Sequence, residues 1–215
     1  MTRPRRACVA ALAVCLAQAG PATGAVRAGA DLSFTPQLVS LGAVYRLDGT
    51  AVDLLDACAT HGLEIVRLRL WHTPAEPWNG LDATVAFARE VKARGFDLML
   101  DLHYSDTWAD PGHQSKPAAW EGIPFEALVD SVREYTSAVV KRFRDEGILP
   151  EYIQIGNEIS AGMLWDDGRV GWWGASGTRT RSGTASLRLS RRVWPASGMG
   201  PPVRREASRW PTSRA

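Results

Sequence analysis

One unit recurs three times along this sequence: an amphipathic helix, then a glycine, then an apolar strand. Glycine marks the junction in residues 62–65, 95–98 and 147–150. Glycine is favoured just past a helix C-terminus because it adopts positive φ without steric cost. Residues 96–103 are apolar at almost every position, as in strands that are buried on both faces of a parallel sheet. The repeated unit therefore predicts an α/β fold with helices outside a parallel sheet.

The pattern also assigns the individual elements. It predicts strands near residues 29–34, 64–71, 96–103 and 151–155, and helices around residues 51–58, 81–94 and 124–146. Thr50 and Asp53 resemble a capping box for the first of these helices. Four βα units in about 130 residues correspond to the length per unit of a (β/α)8 barrel of about 250 residues. We therefore predict an incomplete TIM barrel over residues 29–173, with open edges and an apolar inner face.

Residues 1–28 are predicted to be a secretory signal peptide. Three arginines precede the apolar run of residues 7–19, and small residues follow. We expect export, with cleavage near Ala25 or Ala28, and we find no other run long enough to cross a membrane. Removal of the signal would leave Cys58 as the one cysteine, and its helical spacing predicts a place in the core.

The composition changes abruptly after residue 173. Residues 174–215 contain nine arginines and one glutamate, and no Lys, Asp, Ile or Phe. Too little apolar surface is available to offset the entropy of ordering, so we predict a disordered tail. Its composition suggests the hypothesis that a GC-rich gene has been translated in a shifted frame. Arginine clusters also suit nucleic acid, but an exported chain disfavours that partner.

Polar and aromatic side chains follow each predicted strand. Because the carboxyl ends of parallel strands share one rim, these residues are expected to lie together. Aromatic faces suit the apolar side of a pyranose, and charged groups suit its hydroxyls. The alternative is that the aromatic residues only cover the top of the barrel. The candidates for sugar binding are Arg67, Arg69, Trp71, His103, Asp106, Trp108 and Trp165.

Glu158 is the candidate acid/base at the end of the fourth strand, and Asn157 the candidate partner of a substrate 2-hydroxyl. Retaining glycosidases use two carboxyl groups about 5–5.5 Å apart, one as acid/base and one as nucleophile. Arg67 or Arg69 could hold the nucleophile. His103 with Asp106, Asp110 and His113 fits no zinc spacing, so no metal or cofactor is predicted.

Long segments resemble glycoside hydrolase family 53, the arabinogalactan endo-β-1,4-galactanases. They include GADLS at residues 29–33, VRLRLW at 66–71, LDLHYSDTWADP at 100–111, IGNEI at 155–159 and AGMLW at 161–165. The resemblance implies a (β/α)8 barrel, retaining endo-hydrolysis of β-1,4-galactan, and Glu158 as proton donor beside Asn157. It also implies that Arg67, His103, Asp106 and Trp108 line the cleft. A calcium site of the complete family is not readable from these residues.

The sequence departs from that family in its second half. The family nucleophile is a Glu at the end of the seventh strand, and the one carboxylate beyond Asp167 is Glu206, in no readable strand. We therefore expect no hydrolysis by this chain as written. The alternative is a non-catalytic protein that binds galactan. In both cases the expected partner is a galactan or arabinogalactan polysaccharide, and a monomer is expected.

Overall fold

The computed structural model describes residues 26–170. The Arg-rich tail and most of the predicted signal peptide lie outside the described residues. The strands are β1 (Gly29–Asp31), β2 (Tyr45–Leu47), β3 (Thr50–Val52), β4 (Ile65–Leu70), β5 (Asp97–Leu102) and β6 (Tyr152–Ile155). The helices are α1 (Thr35–Ser40), α2 (Leu54–Thr60), α3 (Leu81–Ala93) and α4 (Phe125–Asp145).

Four strands form one parallel sheet in the order β1-β4-β5-β6. Helices α2, α3 and α4 carry the chain from each of these strands to the next. Gly62, Gly95 and Gly147 end the three helices with φ between 70° and 82°, the left-handed conformation that favours glycine. The predicted parallel sheet and its helix–glycine–strand units are thus confirmed.

The core lies between the sheet and its helices. Leu68 and Leu100 point from the sheet into a cluster that includes Val85 of α3 and Leu128 of α4, all at most 1% exposed. Cys58 packs against this cluster as predicted, and burial raises the pKa of its thiol. Within residues 26–170, no helix combines the length and apolar character needed to cross a bilayer.

The segment between β1 and β4 differs from the prediction. Residues 45–52 form an antiparallel hairpin, so Thr50 lies in a strand and caps no helix. Its turn is Asp48-Gly49, with φ of 48° and 80°, the Asp-Gly pair typical of a two-residue hairpin turn. Asp53 alone caps α2, accepting hydrogen bonds from the backbone N–H groups of Leu55 and Asp56.

The inner face of the sheet carries charged and polar side chains beside Met99 and Ile65, so the expectation of an apolar inner face was only partly correct. Strand alternation turns the leucines of β4 and β5 outward to the helices. The opposite face carries Asp31, Arg67, Asp101 and Gln154, which are joined by hydrogen bonds from Arg67. Charge pairing therefore occupies the position where we had expected apolar surface.

Candidate active site

The candidate site lies where β4, β5 and β6 end. The loops after these strands are tied together: His72 N–H donates to the Ser105 carbonyl at 2.8 Å, and Gly156 N–H donates to the Leu102 carbonyl at 2.9 Å. Tyr104 and Glu158, each within three residues of a strand end, have φ of 53° and 49°. Positive φ is uncommon outside glycine and clusters at functional sites. The rim therefore combines close packing with unusual backbone geometry.

The side-chain amide of Asn157 is held in one orientation. Its Oδ1 accepts from Arg67 Nη2 at 2.9 Å, and its Nδ2 donates to the Ala109 carbonyl at 2.7 Å. A guanidinium can only donate and a carbonyl can only accept, so the oxygen and nitrogen of the amide cannot be exchanged. Asn157 is 6% exposed. One hydrogen of Nδ2 remains available to donate.

Arg67 connects Asn157 to two carboxylates. Its Nη1 lies 2.5 Å from Asp31 Oδ2, and its Nη2 lies 2.5 Å from Asp101 Oδ2. Asp101 is fully buried, so the positive charge of Arg67 compensates a charge that has no access to water. The guanidinium thus positions Asn157 and neutralises the interior.

Gln114 holds the main chain beside Asn157. Its Nε2 donates to the Asn157 carbonyl at 2.8 Å and to the Asp110 carbonyl at 3.0 Å. The backbone carbonyl of Gln114 accepts from Trp165 N–H at 2.7 Å. The side-chain amide of Gln114 therefore joins the loop after β5 to the end of β6, and its backbone carbonyl holds the loop that carries Trp165. Nothing in the sequence distinguishes Gln114 from other loop glutamines, so it was not predicted.

Glu158 itself is exposed to solvent. Within residues 26–170 its carboxylate forms no hydrogen bond or ion pair, whereas its backbone lies between the fixed Asn157 and the 3-10 turn Ile159–Ala161. A carboxylate on a rigid backbone with an unengaged head group is able to exchange a proton with a ligand.

His103 has a defined tautomer. Its Nδ1 accepts from Trp71 Nε1 at 3.3 Å and from Ala109 N–H at 3.2 Å, so the ring proton is on Nε2. Nε2 lies 2.9 Å from Asp101 Oδ2, but its N–H points off that line, which leaves Nε2 without a hydrogen-bond partner in the described part of the chain. The structure thus brings the predicted residues His103 and Trp71 together.

Arg69 is 2% exposed and lies against aromatic rings. Its Cζ is 3.8 Å from the ring centroid of Phe34 and 4.6 Å from that of Trp108. Its Nε donates to Asn79 Oδ1 at 3.1 Å. Burial lowers the pKa of Arg69. Trp108 remains 42% exposed, so its ring is available at the rim.

Asp106 and Trp165 take part in loop contacts. The two carboxylate oxygens of Asp106 accept from the N–H groups of Thr73 and Ala118, each at 2.8 Å. Trp165 donates from Nε1 to the Ala161 carbonyl at 3.1 Å, and Arg169 lies over its ring. The structure therefore shows both residues holding loops at the rim, and their contact with a sugar stays a prediction.

Among residues 26–170, no group of three or more His, Cys, Asp and Glu side chains is arranged to hold a metal ion. A cavity of about 310 Å³ lies between α1, the β2–β3 hairpin and α3, where it is lined by Val39, Tyr45 and Phe87. None of the predicted site residues lines this cavity, so the residue chemistry and not the cavity defines the candidate site.

Enzymes with a (β/α)8 barrel carry their active sites at the carboxyl ends of the strands, and most glycoside hydrolases use carboxyl side chains such as that of Glu158. The sequence profile described as glycosyl hydrolase family 53 matches residues 27–193. The chain belongs to glycosyl hydrolase family 53. The match continues beyond residue 173, where the composition changes.

Two curated relatives match about two thirds of the chain. The protein named for the bgaB 5′ region of Niallia circulans is 43% identical over 143 residues, covering 66% of this chain and 39% of its own length. The arabinogalactan endo-β-1,4-galactanase of Thermothelomyces thermophilus is 38% identical over 146 residues, covering 67% and 44%. The match thus spans less than half the length of each of these two relatives.

The fold agrees as well. A fungal β-1,4-galactanase structure matches with a TM-score of 0.70 and 34% identity, covering 78% of this chain and 47% of its own. The GH53 catalytic domain of Ignisphaera aggregans matches with a TM-score of 0.69 and 34% identity, covering 81% and 49%. These matches confirm the predicted incomplete TIM barrel.

Proposed function

We propose that this chain carries one half of the active site of a secreted, retaining endo-hydrolase of β-1,4-galactosidic bonds in galactan or arabinogalactan. The observation that carries the proposal is the locked Asn157 amide beside the unengaged carboxylate of Glu158. Family membership and the name of the Thermothelomyces relative support galactan as the substrate class.

In the proposed reaction, Glu158 is the general acid and base. It protonates the oxygen of the leaving sugar and later removes a proton from the attacking water. The free hydrogen of Asn157 Nδ2 donates to the substrate 2-hydroxyl, a contact that strengthens at the transition state. Arg67 supports this step indirectly, because its hydrogen bond to Asn157 Oδ1 holds the amide oxygen away from the sugar.

The retaining reaction also needs a nucleophile, and the carboxylates of the sheet interior and of Asp106 in the loop after β5 are already engaged. Asp31 and Asp101 pair with Arg67, and Asp106 accepts two backbone hydrogen bonds. We propose that the 215-residue chain binds galactan without cleaving it.

Binding and turnover of β-1,4-galactotetraose by the purified chain test this proposal. We expect calorimetric binding that is weakened by Trp108→Ala and kept by Glu158→Gln, and no release of reducing ends. Release of reducing ends would refute the claim of inactivity. A folded chain that fails to bind galactan would refute the substrate class.

A chimera tests the role of Glu158. Residues 29–170 would be joined to the second half of the Thermothelomyces galactanase, which supplies the missing strands. We expect restored hydrolysis of galactan that is lost on Glu158→Gln and kept on Glu121→Gln, a change at an exposed carboxylate elsewhere. A chimera that stays active after Glu158→Gln would exclude Glu158 as the acid/base.

A non-catalytic galactan-binding protein is the second candidate. It is favoured because Asp31, Asp101 and Asp106 already form ion pairs or hydrogen bonds within the protein. The gene distinguishes the candidates. If the original frame across codons 168–174 continues into further βα units with a strand-terminal Glu, the chain derives from an active hydrolase. If it does not, the binding protein is favoured.

A further inference from the structure

We propose that Phe34 and Trp108 together form a two-ring platform that binds a pyranose ring of a galactan chain. Phe34 was not among the residues that the sequence suggested. The inference rests on the proposed function, since it takes galactan as the ligand and adds a binding residue to the same rim.

The two rings are nearly parallel and stacked. Their planes differ by 6° and their centroids are 6.3 Å apart. Phe34 is 48% exposed and Trp108 is 42% exposed, so each ring keeps a large part of its surface open. They come from different loops, Phe34 from the turn between β1 and α1, and Trp108 from the loop after β5. Their alignment is therefore produced by the tertiary structure.

Arg69 explains why the rings are aligned. Its guanidinium contacts both rings from an almost fully buried position, at 3.8 Å and 4.6 Å. Its Nη2 has no hydrogen-bond partner within the described residues, so the rings are the main contacts of that end of the side chain. The backbone N–H of Arg69 also donates to Ser33 Oγ at 2.9 Å, which fixes the residue next to Phe34.

This arrangement is suited to stacking. The apolar face of a pyranose loses water when it covers an aromatic ring, and rings that are already fixed lose little conformational entropy on binding. The platform is continuous with the candidate site, because Trp108 also makes an edge contact with His103 at 5.6 Å between centroids. Sugar binding would thus give the exposed Phe34 ring a function in addition to its contact with Arg69.

Matched variants test the platform by calorimetry with β-1,4-galactotetraose and by ligand-detected saturation-transfer NMR. We expect Phe34→Ala to weaken binding about threefold to tenfold, from the energy typical of an aromatic contact. Phe34→Leu keeps apolar packing on Arg69 without a ring face and should weaken binding similarly, whereas Phe34→Tyr should keep the affinity. The control is Leu41→Ala, which removes an apolar side chain that is 77% exposed at the other end of α1.

The outcomes separate this inference from the proposed function. If Trp108→Ala weakens binding and both Phe34→Ala and Phe34→Leu bind as well as the original chain, the platform is refuted and the galactan site stands. If neither Trp108 nor Phe34 affects binding, the rim is not the galactan site. Equal melting temperatures of the variants and the original chain are required for each comparison, and Phe34→Leu serves if Phe34→Ala does not fold.

Discussion

Arg67 Nη2 donates to Asn157 Oδ1 at 2.9 Å, and this contact joins two residues that are 90 positions apart in the sequence. The same nitrogen lies 2.5 Å from Asp101, a carboxylate with no access to solvent. One guanidinium nitrogen therefore serves both the stability of the sheet interior and the orientation of the amide beside Glu158.

Replacing Arg67 with Met should cost about 3 kcal/mol of unfolding free energy, because Asp101 would remain buried without its partner. Urea denaturation measures this change. Arg133→Ala, which removes an exposed ion pair on α4, should change stability by less than about 0.5 kcal/mol. The double variant Arg67→Met with Asp101→Asn should recover part of the loss, and a double variant as unstable as Arg67→Met alone would contradict the explanation.

Replacing Gln114 with Met should leave the carbonyls of Asp110 and Asn157 without their donor, at a cost of about 1–3 kcal/mol. The backbone amide resonances of Asn157 and Glu158 should shift and broaden in ¹H–¹⁵N NMR, and the affinity for galactotetraose should fall. Gln37→Met on α1 is the matched control. Unchanged resonances at Asn157 and Glu158 would show that Gln114 does not position this peptide.

His72 should make stability depend on pH near neutrality. Its ring is packed against Trp120 and Tyr135, with centroids 4.7 and 4.6 Å away, and this burial lowers the pKa of His72 despite the nearby Asp106. Below about pH 6.5 the unfolded chain takes up a proton that the folded chain resists, so stability falls as the pH falls.

Urea midpoints measured between about pH 5 and 7.5 check this effect, since the unfolded histidine titrates near pH 6.5. His72→Gln should flatten the dependence, whereas His61→Gln, at an exposed position, should leave its slope unchanged. A slope that is equally steep in His72→Gln would assign the effect to other groups.

Asp53 should be the cap of α2, and Thr50 should not contribute. The Oδ1 atom of Asp53 accepts from Leu55 N–H at 2.8 Å and from Asp56 N–H at 3.2 Å. Asp53→Ala should therefore cost about 1 kcal/mol, Asp53→Asn should retain most of the cap, and Thr50→Ala should have little effect on it. Thermal denaturation of the three variants checks the order, and a Thr50→Ala loss as large as that of Asp53→Ala would restore the capping box.

Local pattern was sufficient for the regular elements. The glycine stops, the apolar run of β5 and the amphipathic α4 each follow from neighbours in sequence, and the structure places them within a few residues of the prediction. The hairpin at residues 45–52 was missed although its Asp-Gly turn was visible, because the apolar spacing around Leu54 was extended back over Thr50.

The candidate site divides in the same way. Asn157 and Glu158 could be recognised because a polar pair ends an apolar strand. Gln114, Asp31 and Phe34 could not be recognised, since their partners are 43, 36 and 74 positions away and no local pattern marks them.

The sequence by itself determined the α/β architecture, the direction of its strands and the rim at which its polar residues gather, because periodicity and glycine placement are local properties of the chain. Only the tertiary structure decided that the sheet interior is charged, that Arg67 locks Asn157 and that Arg69 aligns two rings. These contacts join strands and loops that are far apart in sequence, and their side chains come within contact distance only when the chain has folded.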